Sequence, residues 1–327
     1  MAKQCGHEKS TIFMIKFTII TPAYNCENYL GTCLDSFLKQ TYTNWRAIVV
    51  DDGSKDSTPQ ILDEYASRDS RIIAIHKQNG GECSARNAAL EWVKSNRIDD
   101  SWLCFVDSDD YVDSRMCEVL LDVITKNPNI DFIRPYSIRV SSHCDPYPTI
   151  PPNNLDFIVL SREKYFSRGI CGGYISSIVV KEKVVIDNSI LFDERLRFLG
   201  DQEFNIHCAS LCNEYLVLRS PRYYYYRENE SSVTSRQKDV GKHIVGCVNS
   251  VYKYLMDSNS SEVAEFFYKD YLPSKLAGYL HNKIINRSFI DDLKDLNKEI
   301  DVHKASITRR VRVGLSAHQL FSKLFKK

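Results

Sequence analysis

Two aspartates follow an apolar segment in the first half of the chain. Residues 103–106 have the composition of a buried β-strand, and Asp107, Ser108, Asp109 and Asp110 follow them directly. Side chains two positions apart in extended chain point the same way, so Asp107 and Asp109 would repel each other. Mg²⁺ or Mn²⁺ between them would relieve that repulsion and take its remaining ligands from phosphates. The alternative is a solvated acidic turn that closes a strand.

Apolar runs of strand length alternate with helical patterns over about 100 residues, as in α/β domains. Strands are expected at 17–21, 45–50, 72–76 and 102–106, and helices at 25–40, from 58, and at 84–94. This alternation predicts a mostly parallel sheet with right-handed crossovers, flanked by helices. Ligands of such sheets bind at the carboxyl ends of the strands, where Asp107 and Asp109 would lie.

The second half of the chain has weaker patterns. A helix is expected at 114–127, strands at 131–135, 175–180 and 216–218, a helix from Gln202, and a proline-rich loop at 141–154. From about residue 239 the pattern is helical. The sequence therefore predicts an N-terminal tail at 1–15, a catalytic domain at 16–238 and a helical C-terminal region at 239–327.

Composition excludes several classes of protein. The chain has 327 residues, of which 43% are hydrophobic and 26% charged, and its formal net charge of +1 gives no general attraction to nucleic acid. Its 11 scattered cysteines form no CxxC pair, which is unlike a disulfide framework or a zinc site and favours the cytoplasm. There is no signal-peptide pattern and no apolar run of the roughly 20 residues that a spanning helix needs.

The C-terminal 26 residues carry seven Lys or Arg and no Asp or Glu. Ile307, Val311, Leu315, His318 and either Phe321 or Phe325 would share one face of a helix there. A basic amphipathic helix of this kind suits the anionic inner face of a membrane. The alternative is a basic helix that packs on the domain or frays.

Five short motifs occur in a fixed order, each at the end of an expected element. They are Thr21-Pro22-Ala23-Tyr24-Asn25, the run 49–58 around Asp51-Asp52-Gly53-Ser54, Asn79-Gly80-Gly81 with Ser84-Ala85-Arg86-Asn87, Asp107-Ser108-Asp109-Asp110, and Gly200-Asp201-Gln202-Glu203-Phe204. The ordered set resembles the family-2 glycosyltransferases, nucleotide-sugar enzymes of the GT-A fold. The resemblance extends from about residue 16 to about residue 235.

The resemblance implies a nucleotide-sugar donor site. Its residues would be Thr21, Pro22, Ala23, Tyr24, Glu27, Asp51, Asp52, Asn79, Gly81, Arg86, Asp107, Ser108, Asp110 and Arg227. Tyr24 would stack on the base, and Asp51 or Asp52 would accept a hydrogen bond from a uracil N–H. Arg86 and Arg227 would contact the diphosphate, and Asp110 the sugar hydroxyls. Without the other motifs, Asp52-Gly53-Ser54 is a plain turn and Arg86 a surface arginine.

The resemblance also implies a metal site and a general base. Asp109 would ligate Mn²⁺ or Mg²⁺ directly, and Asp107 would reach the metal through water or bind the ribose. Asp201 matches the catalytic base, although Gly200 stands where the family has a first acid. Asp201 could instead be a helix N-cap, and Glu203 is the rival base.

The tyrosine run at 223–226 precedes Arg227 and a Ser/Thr segment at 231–234. It resembles the family's segment over the diphosphate. As a plain strand it would place two tyrosines in the core and two outside.

The expected activity is inverting transfer of a sugar from a UDP-sugar to a hydroxyl of a glycan or lipid-linked acceptor. The acceptor would belong to a bacterial surface polysaccharide such as O-antigen, capsule or lipopolysaccharide oligosaccharide. A sugar nucleotidyltransferase would need a Gly-rich basic loop where Thr21–Asn25 stand, and a dehydrogenase would need GxGxxG after a strand. A non-catalytic carbohydrate-binding protein would have no use for the metal acids and Asp201 together.

Overall fold

The structure is a computed structural model that describes residues 15–141, 155–168, 175–196, 199–228, 240–257, 260–272 and 274–275. Three of the sequence predictions fall on residues that the structure does not describe. They concern most of the proline-rich loop, the Ser/Thr segment at 231–234 and the basic C-terminal helix. The N-terminal tail is outside the described residues as well, apart from residue 15.

Within the described residues, eleven strands form two sheets. They are β1 (Lys16–Ala23), β2 (Trp45–Asp51), β3 (Ile72–His76), β4 (Ser101–Phe105), β5 (Tyr111–Val112), β6 (Phe132–Pro135), β7 (Ser137–Val140), β8 (Asp156–Ser161), β9 (Val179–Lys181), β10 (Glu214–Ser220) and β11 (Tyr224–Arg227). The larger sheet has the order β3-β2-β1-β4-β9-β6-β10-β8, and β5, β11 and β7 form the smaller one.

The strands that carry the motifs are adjacent and parallel. β1 pairs with β2 on one side and with β4 on the other, and Ala23 is in register with Asp51. The carboxyl ends of the three strands therefore meet at one edge, as the alternation predicted. The larger sheet is mixed further along, because β9 is antiparallel to β4 and to β6.

Nine α-helices accompany the sheets in the described part of the chain. They are α1 (Leu30–Leu38), α2 (Thr58–Arg68), α3 (Glu82–Ser95), α4 (Met116–Lys126), α5 (Arg162–Ser167), α6 (Glu182–Asp187), α7 (Gly200–Ser210), α8 (Val240–Asp257) and α9 (Ser261–Phe266). A π-helical segment, Phe267–Tyr271, continues α9. None of the described helices is long and apolar enough to cross a bilayer.

The core has two layers, one on each face of the larger sheet. Alternate β1 residues enter opposite layers: Ile20 packs with α3, α7 and α8, while Ile19 packs with α1, α2 and α4. Helices α8 and α9 share the first layer, because α8 packs against α7 and α9 against α5. Part of the predicted C-terminal helical region is thus continuous with the core beneath the helix that bears Asp201.

Three local predictions are wrong. The helix expected from Asn25 begins at Leu30, because Asn25 has a φ of 47° and a turn follows it. Asp201 is not an N-cap: α7 begins at Gly200 after Leu199, whose φ is 68°. The segment at 175–180 is a short 3₁₀ turn followed by β9.

The expected alternation of the tyrosine run is also wrong. Tyr223, Tyr224 and Tyr225 are all buried, because both faces of the smaller sheet are covered. Tyr225 stacks on Tyr111 with ring centroids 4.9 Å apart, and Tyr224 points the other way into the layer under α1.

Candidate active site

Asp52 ties the glycine loop to the end of β2. Its carboxylate accepts hydrogen bonds from the backbone N–H of Gly80 at 3.0 Å and of Gly81 at 2.7 Å, and from Lys77 Nζ at 2.7 Å. The Asn79 side chain donates to the Asp52 carbonyl at 2.9 Å. A buried carboxylate with three charge-assisted or backbone donors fixes the shape of this loop.

Asp51 closes the turn beside it. Its Oδ1 accepts from the Ser54 N–H at 3.0 Å, and its Oδ2 lies 3.2 Å from His76 Nδ1. His76 Nε2 lies 3.0 Å from Asp63. Burial lowers the pKa of His76, but the hydrogen bonds to Asp63 and Asp51 outweigh it and raise that pKa overall. Hydrogen bonds within the protein therefore hold both aspartates of the predicted nucleotide-base pocket in place.

The loop after β1 is clasped to the loop after β2. Asn25 Oδ1 accepts from the Lys55 N–H at 2.8 Å, and Glu27 Oε2 accepts from the Ser57 N–H at 2.9 Å. Glu27 thus supports the neighbouring loop. Tyr24 remains 51% exposed at the same edge, with a ring face available for stacking.

The remaining motif residues of this edge differ in exposure. Thr21 and Ala23 are buried, Pro22 is half-buried, and Ser108 is buried behind the acids. Thr21 Oγ1 has no hydrogen-bond partner among the described residues.

Arg86 connects α3 to the acids after β4. It is 3% exposed and donates from Nη2 to Asp107 Oδ1 at 2.7 Å, while Nη1 lies 3.8 Å from Glu82. Burial lowers the pKa of Arg86, but Glu82 and Asp107 outweigh it and raise that pKa overall. Its Nε and Nη1 find no hydrogen-bond acceptor within the described residues. A buried guanidinium with unused N–H groups is suited to an anion.

Asp107 and Asp109 are half-buried at the end of β4. Among the described residues, no three His, Cys, Asp or Glu side chains converge to hold a metal ion. A cation here would have at most two carboxylate ligands from this region. That number fits Mg²⁺ or Mn²⁺, which complete their shells with water and substrate phosphates.

Asp110 is not available to a sugar, which corrects the prediction that it binds sugar hydroxyls. It is 1% exposed, and its two oxygens accept from the Tyr224 hydroxyl at 2.6 Å and the Arg227 N–H at 2.8 Å. Burial, with the charges of Asp107 and Asp109, raises the pKa of Asp110 to about 8. Asp110 instead fastens β11 to the loop that bears the metal acids.

Arg227 is held beside these acids by aromatic rings. Its guanidinium lies 5.1 Å from the ring centroid of Tyr29 and 5.4 Å from that of Tyr111. No carboxylate forms an ion pair with Arg227 in the part of the chain that the structure describes. The rings orient the cation without neutralising it.

Asp201 lies half-buried in the first turn of α7, where its Oδ1 accepts from the Gln202 N–H at 2.8 Å. Burial raises the pKa of Asp201 from 3.8 to about 6; Glu82 adds to the rise and Arg86 opposes it. The charge of Asp107 also acts on Asp201. Asp201, the predicted general base, and Asp107, a predicted metal ligand, thus influence each other's charge, and Arg86 interacts with both.

The close approach of Cys83 explains why a glycine suits position 200. A Cβ at this position would lie 2.6 Å from Cys83 Sγ, closer than any real contact. Any side chain at position 200, including the acid that the family carries before Asp201, would therefore require the Cys83 thiol to move.

Glu203 cannot serve as the base. It is 0% exposed, between α7 and α8, so no acceptor hydroxyl can reach it. Burial raises its pKa from 4.5 to about 7, opposed by a hydrogen bond with Tyr254.

Several supporting residues were not predicted. Lys77 follows β3 directly, and its position after a strand was a usable signal. Phe192, whose ring lies 5.5 Å from the Arg86 guanidinium, gave no signal, because its partner is more than 100 residues away in sequence. The tyrosine run was noticed, but the partner of Tyr224, Asp110, was not predicted for the same reason.

Comparisons with known proteins agree with this architecture. The sequence profile described as Glycosyl transferase family 2 matches residues 18–181. The chain is 32% identical over 223 residues to the uncharacterized glycosyltransferase EpsJ of Bacillus subtilis, over 66% of this chain and 62% of EpsJ. It is 26% identical over 220 residues to the poly(ribitol-phosphate) beta-N-acetylglucosaminyltransferase TarS of Staphylococcus aureus, over 66% of this chain and 36% of TarS. The chain thus spans less than two thirds of either relative.

The fold is that of TarS. A crystal structure of S. aureus TarS 1-349 in complex with UDP-GlcNAc superposes with a TM-score of 0.69 and 21% identity, over 86% of this chain and 80% of that one. This likeness confirms the predicted GT-A-type fold. The family profile covers half of the sequence, and the chain therefore belongs to glycosyl transferase family 2.

Proposed function

We propose that this chain transfers a sugar from a UDP-sugar, with inversion, to a hydroxyl of a glycan acceptor in the synthesis of a bacterial surface polysaccharide. The observation that carries the proposal is the position of Arg86. Arg86 donates a hydrogen bond to Asp107 at 2.7 Å, and its charge lowers the pKa of Asp201. Two of its buried nitrogens have no acceptor among the described residues. An anion between the acids and the base would complete its shell.

The donor occupies the edge formed by β1, β2 and β4. Tyr24 stacks on the base, and the backbone and carboxylate of Asp51 or Asp52 recognise the uracil N–H. Thr21, Pro22, Ala23, Asn79, Gly81 and Ser108 shape the pocket, and Glu27 supports it. Arg86 and Arg227 bind the diphosphate, where two cations held by burial and by aromatic rings oppose its charge.

Asp109, with Asp107, would hold Mn²⁺ or Mg²⁺. Such a cation supplies charge neutralisation to the diphosphate as the bond to the sugar breaks. Arg86 keeps one Asp107 oxygen engaged, so that carboxylate is oriented before any cation binds.

Asp201 takes the proton of the acceptor hydroxyl. With a pKa of about 6 it is ionised at neutral pH yet basic enough to accept a proton in the transition state. The hydroxyl attacks the anomeric carbon from the face opposite the leaving diphosphate, which inverts the configuration. A single base suffices, because no covalent sugar–enzyme intermediate forms.

The acceptor is a polysaccharide or a lipid-linked oligosaccharide at the cytoplasmic face of the membrane. The name of TarS, a poly(ribitol-phosphate) beta-N-acetylglucosaminyltransferase, supports a polymeric acceptor. The basic C-terminal segment would hold the protein on anionic lipid there.

A donor screen tests the proposal. The protein is incubated with Mn²⁺ and each common UDP-, GDP- and dTDP-sugar, starting with UDP-GlcNAc, and both thermal shift and nucleotide release are followed. We expect a shift and release with a UDP-sugar, lost in Asp109→Asn and retained in Asp122→Asn, which removes only a surface ion pair with Lys126.

Each other outcome of the screen contradicts part of the proposal. Response to no sugar nucleotide would overturn the enzyme assignment. A response to GDP- or dTDP-sugars alone would overturn the choice of uracil as the nucleotide base. A shift without nucleotide release, even with glycan acceptors added, would favour a non-catalytic binding protein.

A further inference from the structure

The C-terminal helices pack against the side of the site where Asp201 lies and form a wall there. Cys247 of α8 donates to the Leu199 carbonyl, the residue before α7, at a sulfur–oxygen distance of 3.7 Å. The same thiol lies 3.0 Å from the Tyr271 hydroxyl. Residues far beyond the segment 18–181 that matches the family profile therefore contact the start of the base helix.

Lys275 extends this wall toward Asp201. Its ammonium donates to Gln202 Oε1, one position after the base, and lies 5.3 Å from the ring centroid of Tyr271. Lys275 is half-buried, and within the described residues it forms no ion pair with a carboxylate. A partly desolvated cation is costly unless an anion lies near it.

The charged and titratable groups around Asp201 come from every element packed against it. Helix α3 contributes Glu82, Cys83 and Arg86, the loop after β4 contributes Asp107, α7 itself contributes Glu203, α8 contributes Cys247, and the C-terminal segment contributes Tyr271 and Lys275. Two of these groups are cations. Arg86 is shared between Asp107 and Asp201, and Lys275 is the second cation.

Electrostatics agree with this geometry. Burial lowers the pKa of Lys275, and the charges of Cys247 and Asp201 oppose that shift. The Asp201 carboxylate and the Lys275 ammonium thus stabilise each other's charged forms.

We propose that Lys275 is a positioning residue for Asp201: its ammonium, held by Gln202 and Tyr271, orients the first turn of α7 and stabilises the base in its ionised form. The inference rests on the proposed role of Asp201 as general base. It makes the C-terminal helices part of the catalytic centre.

The test measures Asp201 directly. The carboxyl groups are labelled with ¹³C-aspartate and titrated by NMR in the full-length protein without metal, and the Asp201→Asn variant assigns the signal. We expect Lys275→Met to raise the pKa of Asp201 by about one unit, because it removes a cation that is held at the neighbouring residue Gln202. Lys275→Arg retains the charge and should restore the wild-type value.

A matched control removes a lysine of the same segment. Lys269 pairs with Glu265 at the surface, so Lys269→Met should leave the Asp201 titration unchanged. If Lys275→Met does not fold, Gln202→Leu removes the hydrogen bond that holds the ammonium and should raise the same pKa by a smaller amount. An unchanged Asp201 titration in the folded variant overturns the inference.

Turnover gives a second readout. With UDP-GlcNAc, Mn²⁺ and water as acceptor, the acidic limb of the pH–rate profile should move about one pH unit upward in Lys275→Met. Turnover then falls several-fold at pH 6 and equals wild type at pH 8.5. A limb that stays in place while the NMR titration moves would show that Asp201 is not the base, a failure of the proposed function and not of the Lys275–Asp201 coupling.

Discussion

The side of the site that we propose for the donor and the side that we propose for the acceptor hold their carboxylates differently. On the donor side, Asp52 accepts from three donors, Asp51 is held by Ser54 and His76, and Asp107 is held by Arg86. On the acceptor side, Asp201 accepts from one adjacent N–H. Burial raises the pKa of Asp201 to about 6 and that of Glu203 to about 7.

The difference separates two tasks. A side that binds a fixed anion gains from groups that are held in one charge state and one position, because their ordering is completed before binding. A side that moves a proton needs a group whose two protonation states are close in free energy at the working pH. Hydrogen bonds provide the first property, and partial burial with few donors provides the second.

The largest expected effect is that of Asp201→Asn on the acceptor side. Because an amide cannot accept the acceptor's proton, turnover should fall by about 10²–10⁴-fold while affinity for the nucleotide is kept. Steady-state kinetics and calorimetric titration with UDP measure the two quantities. Wild-type turnover should itself rise with pH through about 6, since the base must be ionised. An Asn variant as active as wild type contradicts the assignment.

The next effect is that of Gly53→Ala on the donor side. Gly53 has a φ of 73°, and a Cβ there would lie 2.8 Å from the Asn79 backbone nitrogen. Strain and collision together should lower the free energy of unfolding by about 2–3 kcal/mol and weaken UDP binding. Denaturant unfolding and UDP titration measure both.

Two glycines serve as controls for that substitution. Gly81 has φ 91° and ψ 168°, a backbone region essentially restricted to glycine, but nothing lies within 4 Å of its Cβ position, so Gly81→Ala isolates backbone strain, about 1–3 kcal/mol. Gly31 lies in α1 with an ordinary contact, so Gly31→Ala should not destabilise the protein. A Gly53→Ala variant as stable as Gly31→Ala would show that the loops are not packed as closely as described.

The smallest effect is that of Glu203→Gln on stability. The folded-state pKa of Glu203 is raised from 4.5 to about 7, so its contribution is fully present below about pH 4.5 and is lost as pH rises through 7. Gln stays neutral, and the variant should be more stable than wild type by about 1–2 kcal/mol at pH 8 and equal to it at pH 4.5. Unfolding at both pH values measures this.

The control for Glu203→Gln is the exposed pair Glu64–Arg68, where Glu64→Gln should change stability little at either pH. A Glu203→Gln variant that loses stability at pH 8 would indicate that Glu203 is ionised and well paired, which would remove the contrast between the two sides.

The alternation of the first strands and helices, and the edge at which the motifs meet, could be predicted from sequence. An apolar run that ends in Asp51 or Asp107 indicates a buried strand, and the acid marks the position where that strand reaches the polar edge of the sheet. β3 was predicted to the residue, and the shared edge followed from parallel pairing alone. Local pattern is sufficient where the determining contacts are local.

The errors concern residues whose environment is set from far along the chain. Asp110 stands one position after Asp109, yet Tyr224, 114 residues later, withdraws it from the site. The sequence around Asp201 suggests a cap, but the left-handed turn at Leu199 starts the helix earlier. The placement of Lys275 beside Gln202 depends on the packing of α8 on α7, which no short motif encodes.

The contact between Gly200 and Cys83 couples two positions 117 residues apart. An acid at position 200 would force the Cys83 thiol out of its present position, and a smaller residue at 83 would leave a void beneath α7 for as long as Gly200 remains. Each single step costs packing that the double replacement restores. The order of substitutions is therefore constrained, and a related chain with an acid before its base should carry a smaller residue at the facing position of α3.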